Sequence, residues 1–178
     1  MSQRVPPGAG ALRPIDRTLL DVATAAAQRD PRRRAILRYH ELDEPLQRML
    51  NAVEPGSYVR PHRHADPPKV ESFILLRGRA AIIRFDDAGT ILEVATLAAG
   101  GPQHGVEIPP GAWHMLLALE PGTVFYETKN GPYDPTSDKD FAPWAPAEGD
   151  RAADAYLAAV EARLHLPVPV DDEEDDLL

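Results

Sequence analysis

RPHRHADPPKVESFILLRG, residues 60–78, places two histidines one residue apart, follows them with a proline-containing loop, and then opens an apolar run on a glutamate. Side chains alternate faces along a β-strand, so His62 and His64 point the same way, with both imidazoles in reach of one ion, while Arg63 points elsewhere. A hairpin through Asp66, Pro67 and Pro68 would return the Glu71 carboxylate beside that pair and put Glu71, Phe73 and Leu75 on the inward face. A further histidine, His114, begins the run WHMLLAL after the turn PPGA and reaches the same interior if the sheet closes on itself. Three histidines and one carboxylate form a ligand set that suits Fe, Mn, Ni, Cu or Zn, without choosing among them.

Outward from this stretch the chain keeps one texture. From Leu46 to Asn130, short runs (LQRMLNAV, YVRPHRH, VESFILL, RAAIIRF, TILEVATL, HGVEI, WHMLLAL, TVFYETK) alternate with Gly, Pro and Asp clusters. That is the pattern of an antiparallel all-β barrel or sandwich. Residues 1–14 are rich in Pro and Gly and read as a flexible arm. Residues 15–45 read as helical: Asp16 caps a helix with Leu19, Leu20, Val22 and Ala23 on its apolar side, and Asp30-Pro31 starts a second short helix running into RRRAIL. The cluster Arg32, Arg33 and Arg34 reads as a solvated face. Residues 131–149 form a proline- and aromatic-rich closing segment. A C-terminal helix over 150–166, capped by Asp150, carries Tyr156, Leu157, Val160 and Leu164 on one side, and 167–178 read as an acidic disordered tail.

Composition narrows the function classes. The chain has 178 residues and 43% apolar content, enough for a single domain with a buried core. It has no cysteine, which excludes thiolate ligands and disulfides and leaves nitrogen and oxygen donors for any metal. Six consecutive acidic residues, Asp171 to Asp176, supply most of the net charge of −9, so the body is only mildly acidic. That balance argues against a nucleic-acid partner. No apolar run approaches the ~20 residues of a membrane helix, and MSQRVPPGAG lacks the apolar stretch of a secretory signal, from which we expect a cytoplasmic protein.

Gly56, five residues, His62, one residue, His64, six residues, Glu71, six residues and Gly78 resemble the first motif of the cupin superfamily, and Pro109, Gly111 and His114 its second. The gap before Glu71 is two or three residues longer than in the common form, and Ala118 stands where the second motif often ends in Asn. MLNAVEPGSYVRPHRH, VEIPPGAWHMLLALEPGTV and the closing GPYDP with DKDFAPWAPAE are similar to the WbuC-type cupin-fold metalloproteins, a likeness covering roughly residues 16–150. The resemblance implies a mainly β, single-domain cupin-type jelly-roll barrel over 46–130 with helices at both ends. It also implies one divalent transition metal on His62, His64, Glu71 and His114, a setting in O-antigen metabolism, and a homodimer, for which the arm and the strand over 46–53 would supply an edge.

Around this centre, Arg60 shares the parity of His62 and would border the pocket to hold an anionic small-molecule ligand, a salt bridge being the alternative. Tyr58 has the same parity and is a weaker candidate for the pocket wall. His104 is a candidate fifth ligand, ligand-orienting partner or proton shuttle, or a loop histidine with no role; His40 and His165 carry no partner pattern. Trp113, Phe125, Tyr126, Tyr133 and Trp144 read as core residues. Three functions fit: a metal-dependent enzyme acting on a sugar or sugar acid, a non-catalytic metal-containing sensor or binding module, and a metal-free sugar isomerase or epimerase.

Overall fold

The structure, a computed structural model, describes residues 3–5 and 12–164. Strands β3 (Leu46–Val53), β4 (His62–Arg63), β5 (Glu71–Arg77), β6 (Arg79–Phe85), β7 (Ile91–Ala98), β8 (Gly105–Ile108), β9 (Trp113–Ala118) and β10 (Thr123–Asn130) fall into two sheets, in the orders β3-β10-β5-β8 and β4-β9-β6-β7, with the hairpin β6-β7 kept within the second. Two interleaved four-stranded antiparallel sheets of this order are a jelly roll. Two-residue β1 (Gln3–Arg4) and β2 (Arg34–Arg38) extend the first sheet, and β11 (Asp140–Phe141) extends the second. The expected barrel is thus a sandwich, since no ladder joins the two sheets among the described residues. The crossing from one sheet to the other between β5 and β6 takes a single residue, Gly78, at φ 81°, where a β-carbon would lie 2.5 Å from Thr123 Oγ1. Only glycine meets both demands.

Alternation along the strands builds three apolar layers. Val53, Phe73, Leu75, Ile82, Leu116 and Phe125 pack between the sheets. Leu37, Leu50, Ala52 and Val124 face outward from the first sheet onto Ala23 and Ala27 of α1 (Arg17–Arg29). Ile83, Met115 and Leu117 face outward from the second onto Leu157 and Val160 of α2 (Ala153–Arg163). Asp16 caps α1 as expected, accepting from Leu19 N at 2.9 Å, but Val22 is 47% exposed rather than part of the apolar side. Tyr156 and Leu164 join Leu157 and Val160 against the second sheet, while α2 begins at Ala153, after a turn in which Asp150 Oδ1 accepts from Ala152 N.

Other expectations are corrected. Residues 34–38 form no second helix: Ala35 and Leu37 are buried and Arg34, Ile36 and Arg38 are half-buried, a period of two that fits the ladder with β3, and Arg33 at φ 58° breaks any helical entry. Part of the arm is ordered, because Gln3 and Arg4 run parallel to Leu37 and Arg38. The strand over 46–53 offers no free edge for a partner, since β2 and β10 flank it. The acidic tail and residues 165 and 166 of the expected C-terminal helix lie outside the described residues.

Candidate metal centre

His62, on β4, pairs across the ladder with His114 on β9, and Glu71 opens β5 on the facing sheet. His64 follows β4 directly. Its backbone carbonyl accepts from Gly111 N at 3.0 Å, which ties the PPGA turn to the histidine pair. The four side chains are only 2 to 3% exposed, and one ligand atom from each lies within 4.8 Å of all the others. The His62 and His114 ring centroids are 4.4 Å apart.

Hydrogen bonding fixes which nitrogens face inward. His62 Nδ1 lies 2.9 Å from the carbonyl of Arg60, His114 Nδ1 lies 2.9 Å from that of Ala112, and His64 Nδ1 contacts the carbonyl of Asp138. A carbonyl only accepts, so each Nδ1 carries the proton in the neutral ring and each Nε2 keeps a lone pair. All three Nε2 atoms and Glu71 Oε2 are buried without a hydrogen-bond partner. Glu71 Oε2 lies 3.0 Å from His114 Nε2 and 3.4 Å from His64 Nε2. Four electron-rich atoms converging in a buried site repel one another unless a cation joins them. The residues therefore fit a metal ion, with ring protons anchored on backbone carbonyls as metal-bound histidines usually have them. Burial, with help from Lys139 and His114, holds His62 well below the usual imidazole range, so it is the neutral, ligating form that prevails.

Behind Glu71 lies a chain of buried charge. Asp138 accepts from Lys69 Nζ and Lys129 Nζ, both at 2.9 Å, and Lys129 Nζ is 3.9 Å from Glu71 Oε1. Burial alone would raise the Asp138 carboxyl, but the two lysines hold it below the ordinary value; burial would likewise lower Lys129, but Glu71, Glu127 and Asp138 raise it. For Glu71 too, the upward push of burial is outweighed, with the Lys129 charge contributing, and the carboxyl stays well below its usual range. Glu127, which accepts from Asn51 Nδ2 at 2.8 Å, is pushed up to about 7 by burial and by the Glu71 charge.

The centre sits in the wall of a cavity of about 700 Å³ between the sheets, lined by His62, Glu71, Phe73, Glu127 and Lys129, among others. Arg60 lines this cavity, with Nη2 donating to Ala142 O at 2.7 Å and its guanidinium 5.3 Å from the Phe141 ring. The closing segment supplies Tyr133, Pro135, Asp138, Lys139 and Phe141 to the cavity lining, and Tyr133, 38% exposed, is not a core residue. Tyr58 is not at the cavity: residues 57–61 are not strand, Val59 takes the inward position, and Tyr58 packs edge-on to Tyr156 under α2, donating to Pro146 O. His104 is exposed and does not line the cavity; its carbonyl accepts from Leu75 N. The buried set Lys69, Lys129, Asp138 and Glu127, which sequence reasoning missed, left one trace: Glu127 and Lys129 share the inward parity of Phe125 in TVFYETK.

Comparison with known proteins gives partial likenesses. The family described as a domain of unknown function (DUF6016) matches residues 15–97, which include His62, His64 and Glu71 but not His114. No curated protein matches the chain. Among solved structures, the oxalate decarboxylase of Bacillus subtilis is 22% identical over 56% of this chain and 24% of its own, with a TM-score of 0.45. The capsular polysaccharide assembling protein CapF of Staphylococcus aureus is 19% identical over 60% of this chain and 31% of its own, at 0.46. KdgF of Halomonas sp. is 20% identical over 58% of this chain and 80% of its own, at 0.43. The chain thus spans about a quarter of the decarboxylase.

Proposed function

We propose that this chain is a metal-dependent enzyme acting on a small anionic metabolite in the cavity between its sheets. One divalent transition metal would be held by Nε2 of His62, His64 and His114 and by Glu71. The observation that carries this reading is the convergence of four buried, unpartnered ligand atoms whose ring protons are taken up by backbone carbonyls. A metal there would supply Lewis-acid polarisation of a ligand oxygen. Asp138 and Lys129 hold Glu71 in place from behind, Arg60 adds positive charge beside the centre, and Glu127 is the cavity carboxyl placed to hold a proton. A sugar acid of surface-polysaccharide metabolism is the substrate class that the WbuC-type resemblance favours.

Plasma mass spectrometry of the purified protein tests the first part. We expect near-stoichiometric Fe, Mn, Ni, Cu or Zn in the wild type, lost in a His62→Ala, His64→Ala double variant that keeps a cooperative melt. A wild type that takes up no metal even on reconstitution would overturn the reading.

A further inference from the structure

The inner face of the first sheet is polar well beyond the metal centre. Strand register carries the wall outward from Glu71 to Lys129 to Gln47, and in the next row from Phe73 to Glu127 to Met49 to Arg38. At about 4.8 Å per strand, Gln47 stands about 10 Å from Glu71, and Arg38 lies one strand further across the sheet. Gln47 is 2% exposed and its Nε2 is buried with no hydrogen-bond partner; the Nε atoms of Arg38 and Arg60 are in the same condition. Asn51 Oδ1 is a buried acceptor with none either, while Asn51 Nδ2 donates to Glu127. All four residues line the cavity.

The charges there do not cancel. Arg34 pairs with Glu148, and Lys69 and Lys129 share Asp138, whereas Arg38 and Arg60 make no ion pair among the described residues. Buried donors left unmade cost more than those exposed to water, and a guanidinium with a free Nε edge matches a carboxylate in fork geometry. A cavity of about 700 Å³ has room for a small metabolite and its water.

We propose that Arg38 and Gln47 form an acid-binding subsite at the end of the cavity remote from the metal ligands. Its occupant is a hydroxy acid, with its carboxylate on Arg38 and Gln47, a hydroxyl donating to Asn51 Oδ1, and its other end directed toward Arg60 and the metal centre. This rests on the enzyme reading above for what happens at that far end, but the subsite stands on its own donors.

The test is calorimetric binding of glycerate, threonate, gluconate and glucuronate to the full-length, metal-loaded protein, with sorbitol as the uncharged control. The variants are Arg38→Met, Gln47→Leu and Arg38→Lys, each checked for metal content and melting temperature. At least one acid is expected to bind and sorbitol not to. Arg38→Met and Gln47→Leu should each weaken the acid about tenfold or more with metal content unchanged, and Arg38→Lys should recover part of the loss. Wild-type affinity in both Arg38→Met and Gln47→Leu, or sorbitol binding as well as the acids, would overturn the subsite, as would failure of every acid to bind. Repeating the titration after chelation separates the two readings: acid binding that persists without metal and still falls in Arg38→Met sustains the subsite even if the metal reading fails.

Discussion

Asp138 serves the centre twice. Its carbonyl accepts a hydrogen bond from His64 Nδ1, and its carboxylate accepts from both Lys69 and Lys129, each nearly inaccessible to water. Removing one partner of a buried ion pair leaves charge with nothing to compensate it, at about 3–5 kcal/mol. Asp138→Ala should therefore lower stability to denaturant by about that much, and because Lys129 is then free to draw on Glu71, metal affinity should fall about ten- to a hundredfold. Chemical denaturation and competitive chelator titration read the two effects; a change below ~1 kcal/mol would show that the lysines find other partners. The four metal candidates were legible because His62, His64 and Glu71 lie close together in the sequence and His114 directly follows the PPGA turn. Asp138 was not, since it lies 74 residues from His64 and gains its meaning only when the closing segment folds back. Tyr58 misled for a local reason: Pro61 and the irregular segment before it break the alternation that parity arguments assume.

The helices and strands differ in how openly the sequence declares them. The α1 cap and the β-runs follow from short-range chemistry, and Glu71, Phe73 and Leu75 do share the inward face. RRRAIL, by contrast, follows an Asp-Pro pair that favours a helix start, yet β3 offers it a ladder, and pairing across five residues wins over propensity. The polar inner wall was hidden by the same ambiguity, because Gln47 and Asn51 on an inward face look, in sequence, like the solvent side of an amphipathic strand. α2 gives the element-scale prediction. Leu157 is buried against the outer face of the second sheet, away from the cavity. Leu157→Ala should cost about 2–5 kcal/mol by leaving a hole there, while bound metal per folded chain stays unchanged; loss of metal from the folded variant would mean that α2 holds the centre together.

For the whole molecule, the arrangement divides labour between the two sheets. The second contributes His114 and, through β4, His62, while the first contributes Glu71 and the polar wall that runs on to Gln47 and Arg38. The centre thus bridges the sandwich, and the cavity is the gap that the bridge leaves open. No helix among the described residues is long and apolar enough to cross a membrane. The central claim is that one metal joins the two sheets through three Nε2 atoms and a carboxylate, and an anomalous difference map from crystals of the protein as purified tests it most directly. The account predicts a single strong peak about 2.0–2.2 Å from Nε2 of His62, His64 and His114 and from a Glu71 oxygen. A map with no peak among these side chains, or with the histidines turned so that Nδ1 faces the ion, would contradict it.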